Sequence, residues 1–243
     1  MTSNDEQTPK NVPGELRANP KAVQLQIKPY NATVVGIGIV GDQKLVVHAF
    51  GEKARAKLAA DQQKTAAEKR AQAKNRKPKD FDECYRDAQH VAGGKGGGWH
   101  GIPCGAFRAG MVRACKVVGV PMVDAKMALL IKADGYDRAD GTPLVRITKG
   151  EPHMDVRPAR NDDGSIDVRA RPMFDEGWEA TVTIEFDADL ISVESVVNLL
   201  ERMGRQVGVG EGRSFSPNSC GMGWGAFRID PQSVKLIAQR RAA

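Results

Sequence analysis

Between Trp178 and Phe186 apolar and polar residues alternate without a break. Trp178, Ala180, Val182, Ile184 and Phe186 fall on one face, and Glu179, Thr181, Thr183 and Glu185 on the other. This is the period-two signature of a strand with one buried side. A first strand pattern runs through Val23, Leu25 and Ile27, resumes as Val34, Val35, Ile37 and Ile39, and ends at the Gly41-Asp42 turn, as one long strand or a bent pair. Shorter apolar runs at Leu45 to Phe50, Met127 to Lys132, Leu144 to Ile147 and Trp224 to Ile229 predict further strands. Two stretches change period. Phe107, Met111, Cys115 and Val118 are spaced by four, four and three, which is one buried face of a helix, with Pro103 at a plausible first helical position. Arg108, Arg113 and Lys116 lie off that face, and the small residues Gly105, Ala106, Ala109 and Gly110 let the helix press closely onto a sheet or admit a ligand backbone near its start. Ser192 is placed to cap a second helix carrying Val193, Val196, Val197, Leu199, Leu200 and Met203, with Gly204 as its stop.

Without insertions the order is strand, helix, strand, strand, helix, strand. This predicts an α+β fold of the ferredoxin-like, RRM-like split βαβ type, with an antiparallel sheet, two helices on one face and the other face open to a ligand. Around it, residues 1–20, polar and carrying Pro9, Pro13 and Pro20, read as a disordered arm ahead of a single domain over 21–232. Insertions are expected at 51–101, a basic helix from Glu52 to Asn75 followed by a glycine-rich loop, and at 134–175, a protruding hairpin turning at Asp162-Asp163-Gly164. Residues 233–243 read as a basic tail.

Charge now narrows the function. The 243 residues carry a net charge of +6 at pI ≈ 9.2, so a nucleic acid or another acidic surface is a natural partner. Between Gly51 and Lys79 ten Lys or Arg face three acidic residues, Glu52, Asp61 and Glu68. That helix is polar nearly all round, either a solvated face or an electrostatic arm along phosphates or a neighbouring subunit. The four cysteines are irregularly spaced and the N-terminus has no apolar signal core, which predicts free thiols and a cytoplasmic location. No window approaches the ~20 apolar residues of a membrane span.

The chemistry concentrates near the C-terminus. Gly204, Gly208, Gly210, Gly212, Gly221, Gly223 and Gly225 frame Arg205, Arg213 and Arg228. Glycine lets backbone amides approach a ligand, and arginine forks match phosphate oxygens two at a time, so the segment reads as a polyanion groove; tight turns are the competing reading. Gly-Val-Gly-Glu-Gly-Arg follows a helix and is not the dinucleotide fingerprint, and Gly-Gly-Lys-Gly at 93 to 96 lacks the P-loop ending. Trp99, Trp224 or Phe215 would stack bases at the flanks, with Trp224 better read as core.

Ile102-Pro103-Cys104-Gly105-Ala106-Phe107-Arg108-Ala109-Gly110-Met111-Val112-Arg113-Ala114 resembles the Ile-Pro-Gly-Ser-Ser-Leu-Lys-Gly-Ala-Leu-Arg-Ser-Ala helix start of the RAMP superfamily, the RNA-binding backbone subunits of CRISPR effector complexes. Gly208 to Ile229 looks like that superfamily's C-terminal glycine-rich loop and closing strand, and the Ile37-Gly38-Ile39 strand is similar to its opening. Arg-Pro-x-Phe and Gly-x-Gly-Glu-x-Arg layouts also resemble bacteriophage proteins, so a phage-encoded relative fits too. The resemblance implies backbone binding of single-stranded RNA (or ssDNA), by copies stacked along the strand into a filament or ring, with no cofactor. The residues it and the loop nominate for nucleic acid are Lys95, His100, Arg108, Arg113, Arg205, Gly208, Gly210, Gly212 and Arg213. Cys104, Ala106 and Phe107 depart from the family pattern, and the lost hydroxyl removes one phosphate contact.

Catalysis has weaker support. The resemblance leaves an endoribonuclease open, with His100 or one of Asp80, Asp82 and Asp87 as catalyst, and a phage assembly protein is a third reading. None of these acids sits in a recognisable motif, and no catalytic residue is assigned. Cys84, His90, His100 and Cys104 have spacings unlike a zinc finger or ribbon, so no metal is expected.

Overall fold

The computed structural model describes residues 28–65, 68, 78–93, 97–160, 166–215 and 221–241. Its spine is the pairing of β1 (Asn31–Gly41) with β10 (Glu179–Asp187), antiparallel from Ala32↔Asp187 to Val40↔Glu179. The register sets Val35 opposite Ile184, Ile37 opposite Val182 and Ile39 opposite Ala180, so both strands turn the same apolar set to the core. The predicted alternation over Trp178–Phe186 is present residue for residue, with the first of these just ahead of the strand. Trp178 is fully buried and its Nε1 donates to the Gln43 carbonyl at 2.9 Å, which satisfies the one polar atom that burial would otherwise strand.

Going outward, β11 (Phe227–Ile229) pairs the far edge of β1, while β5 (Leu129–Ile131) and β7 (Pro143–Lys149) divide the other edge of β10 between them. Beyond β7 lie β4 (Trp99–Pro103) and β3 (Val91–Ala92), and β6 (Gly135–Tyr136) also pairs β7. Taking β5 as the strand after the first helix, the order β11-β1-β10-β5 is the fourth, first, third and second strand of a split βαβ sheet, all neighbours antiparallel. Two helices cover one face: α3 (Cys104–Val118) and α5 (Val193–Gln206). Gly110 lets them touch, since a methyl there would meet Met203 of α5 at about 2.5 Å. The protein is thus α+β with a large antiparallel sheet of ferredoxin-like order.

The described part of the basic helix is α1 (Glu52–Gln62), tied to the 138–142 turn by Arg55, which sits 2.9 Å from Asp140 and donates to the Ala139 carbonyl; the stretch expected to continue to Asn75 lies largely outside the described residues. The segment expected to be irregular contains α2 (Phe81–Asp87), capped by Asp80. The protruding hairpin is β8 (His153–Arg160) and β9 (Ile166–Phe174), which with β2 (Leu45–Val46) makes a second, three-stranded sheet.

Several boundaries differ from expectation: the closing strand begins at Phe227 and not at Trp224, and the strand starting at Leu45 ends at Val46. Met127 and Ala128 belong to a short helix, α4 (Met122–Ala128), ahead of β5. Gly204 does not stop α5, which runs two residues further; it is glycine because any side chain would strike Phe227. The residues read as a basic tail include β12 (Lys235–Arg241), which pairs β1 from Asn31 to Gly36. The Ser233 hydroxyl accepts from the Gly38 amide at 2.8 Å and Ile237 lies over Gly36, so the C-terminus covers part of the sheet face expected to be open. The apolar run over Val23 to Ile27 and the arm before it lie outside the described residues.

Candidate nucleic-acid interface

The glycine-rich loop leaves α5 at Val207 and returns at Phe227. Gly208, Gly210, Gly212, Gly221, Gly223 and Gly225 all have φ between +65° and +78°, the left-handed region where a Cβ is penalised. Close packing adds a second reason at three of them, Gly212 against the Trp224 ring among these. A methyl on Gly210 would run into the Val46 carbonyl, and one on Gly225 into the Val209 carbonyl. The amides are also committed: Gly208 donates to Met203, Val209 to Gly225, and Glu211 to Val46 at 2.8–3.0 Å. Those three amides therefore fasten the loop to α5, to its own returning limb and to β2. They are not offered to a ligand.

What the loop does present is side chains. One stripe of α3, Ala106, Ala109, Gly110 and Arg113, faces Val207 to Gly210, Arg213 and Phe215 across a cleft of about 190 Å³. The α3 residues have the i, i+3, i+4, i+7 spacing of one helix face, and three of them are small, so the floor is low and the arginine stands at its end. The Arg213 guanidinium donates to the Gly210 carbonyl at 2.8 Å. Arg113 lies over the Phe215 ring with Cζ 4.9 Å from its centroid, and Phe215 is 47% exposed. No carboxylate lines this cleft among the described residues. Arg113 and Arg213 are its charged lining residues.

The cleft brings Arg113, Gly208, Gly210 and Arg213 together. Other nominated residues stand elsewhere. Arg108 donates through Nε to the Leu129 carbonyl at 3.2 Å and through Nη2 to that of Lys126, satisfying carbonyls around the end of α4. Arg205 pairs with Glu201 one turn back on α5 and lies 4.0 Å from Asp42, which also receives Arg228. Gly212 backs onto the Trp224 ring. His100, on β4, is half-buried edge-on to Phe174 at 5.8 Å; burial lowers its pKa, with Glu151 opposing and Arg138 assisting. Lys95 lies outside the described residues. Of the four residues weighed for zinc, His90 is instead paired with buried Asp137 at 2.7 Å, and the Cys104 thiol, pushed up to about 11 chiefly by burial, points to the Lys132 carbonyl. Among the described residues no group of three or more His, Cys, Asp or Glu side chains gathers as a metal site.

A second cationic cluster adjoins the loop on its hairpin side. Arg171 of β9, nearly fully buried, is held between Asp155 of β8 at 3.2 Å and Glu211 of the loop. Glu211 also meets His48 at 2.9 Å and Arg169 at 3.6 Å. Burial pushes the Glu211 carboxyl up, but the hydrogen bonds and charges of His48 and Arg171 together outweigh it and hold it at about 2. Arg157 covers Trp224 at 4.8 Å, and Trp224 packs with Val46 and Met173 as a small core beneath the hairpin, as expected of it. Sequence reasoning missed this cluster. Its signal was Arg169-Ala-Arg171 within a strand, where residues two apart share a face.

Fold and site together define an α+β protein of ferredoxin-like strand order with an arginine-lined, acid-free cleft beside a packed glycine loop. No family model and no curated protein matches the chain. Among solved structures it is similar to a chain of the cryo-EM structure of the Type III-B Cmr-beta bound to cognate target RNA, with a TM-score of 0.47 and 10% identity over 85% of this chain. It spans 61% of that chain's length. Among the described residues no helix is long and apolar enough to cross a membrane.

Proposed function

We propose that this protein is a non-enzymatic binder of single-stranded RNA, held by its sugar–phosphate backbone, with several copies following one strand. The observation that carries the reading is the cleft itself: Arg113 and Arg213 converge on a space with no carboxylate, floored by alanine and glycine. At about 190 Å³ it suits one phosphodiester and little more. Guanidinium forks pair phosphate oxygens without reading base edges, so binding is tolerant of sequence. The exposed Phe215 ring beside the cleft offers a stacking surface that an unpaired base can use and a paired one cannot. The RAMP-like α3 start and loop favour RNA over DNA. In the endoribonuclease reading the catalyst is His100 or one of Asp80, Asp82 and Asp87, none of which lines this cleft.

Fluorescence anisotropy with labelled single-stranded RNA, single-stranded DNA and duplexes across a salt series tests it. Wild type should prefer single strands, lose affinity steeply with salt and leave the RNA intact. Arg113→Ala with Arg213→Ala should weaken binding alike for all sequences and reduce the salt slope by about 0.7, the share of the one phosphate the cleft holds. Phe215→Ala should cost about 1–3 kcal/mol on single strands only. An unchanged salt slope in the double arginine variant refutes the assignment.

A further inference from the structure

Beyond nucleic-acid binding, an apolar groove on another side of the molecule remains without an occupant. It has a volume of about 560 Å³ and lies between α4 with the end of α3 on one side and the Leu190–Ser192 turn with α5 on the other. It uses Cys115 and Val118 of α3, two and five positions on from Arg113, whereas the arginine cleft uses the 106, 109, 110, 113 stripe; Cys115 is ~200° around the helix from Arg113. The two surfaces are separable.

Around the groove stand large apolar side chains in water: Val117 at 62%, Val123 at 64%, Met127 at 69% and Leu190 at 67% exposed, with Val118 and Val120 behind them. Scattered single residues of this kind are ordinary, but several standing together along one groove are the mark of an interaction surface. One charge stands on each wall. Asp124 of α4 and Arg202 of α5 both line the groove, both are exposed, and neither has an ion-pair partner among the described residues.

We infer that a second copy of this chain occupies the groove, as a two-fold dimer in which α4 of each copy lies in the groove of the other. The complementarity is the reason. α4 is a ridge bearing Met122, Val123 and Met127 with Asp124 among them, and it stands next to a concave wall bearing Arg202. A two-fold axis sets ridge against wall twice, and brings Asp124 of each copy to Arg202 of its mate, which is the self-complementary pattern such dimers require. α4, at the groove's border, carries both the exposed apolar side chains and the Asp124 carboxylate that would meet Arg202 of the mate.

Sedimentation equilibrium on nuclease-treated full-length protein at high salt tests this apart from any RNA-dependent assembly. Wild type is expected to dimerise in the micromolar range. Met127→Lys should raise the dissociation constant at least about tenfold with the melting temperature of the monomer retained. Asp124→Arg and Arg202→Asp should each weaken the dimer about tenfold, and the double reversal should restore it. A monomeric wild type overturns the inference and assigns the groove to a different ligand. So does a dimer that tolerates Met127→Lys, or whose two charge reversals fail to rescue each other. A change in RNA affinity leaves it standing, because that readout belongs to the arginine cleft.

Discussion

Glu211→Gln probes how the glycine loop is anchored. The carboxylate joins three elements: its own loop, β9 through Arg171 and Arg169, and the segment after β2 through His48. The folded protein holds this acid at about 2 against an ordinary 4.5. A difference of some 2.5 units at 1.36 kcal/mol each amounts to about 3 kcal/mol of linked stability. The sign follows from the lowered folded-state value. The stabilisation is complete above the unfolded value of 4.5 and is lost as pH falls through 2. Glutamine keeps the shape and removes the charge, leaving Arg171, only 5% exposed, with Asp155 alone. Near neutral pH the variant should lose about 3 kcal/mol, roughly 6–12 °C of melting temperature for a chain of this size. Urea unfolding followed at pH 7, 4.5 and 3 then separates mechanism from mere damage: the gap between wild type and variant should shrink as the wild-type carboxylate approaches protonation. A gap of equal size at pH 7 and pH 3 would refute the electrostatic account and leave only lost packing.

Gly225→Ala should cost well over 1 kcal/mol, because it combines a left-handed φ of +67° with a methyl driven into the Val209 carbonyl; thermal melts compared with Gly105→Ala, where nothing lies within 4 Å of the added atom, would check it. Arg108→Ala should lower stability by about 1–2 kcal/mol while leaving the salt slope of RNA binding nearly unchanged, since its guanidinium serves the Lys126 and Leu129 carbonyls; calorimetry and anisotropy on the same preparation would distinguish this from a phosphate contact.

The contrast between Arg108 and Arg113 bears on what a sequence can disclose. Five residues along a helix is a rotation of ~140°, so the two side chains cannot serve one narrow cleft. The same periodicity that exposed the buried stripe of α3 already carried that information. Strand order was legible because β1, β10 and α3 each announce themselves through local period. The strand at Lys235–Arg241 was not, since its only large apolar residues are Leu236 and Ile237, both mostly exposed, and its pairing depends on the far end of the chain. The loop was half legible. Clustered glycine was rightly a sign of backbone that must go where side chains cannot, but whether a ligand or the protein itself requires the room depends on what lies opposite. Here the carbonyls of Val46 and Val209 lie opposite Gly210 and Gly225. Glycine thus builds a platform, and the amides of Gly208, Val209 and Glu211 are used in building it. On the proposed reading, affinity for phosphate rests on the guanidinium groups at its edge, so loss of Arg113 or Arg213 should weaken binding far more than a change in the loop that leaves its fold intact.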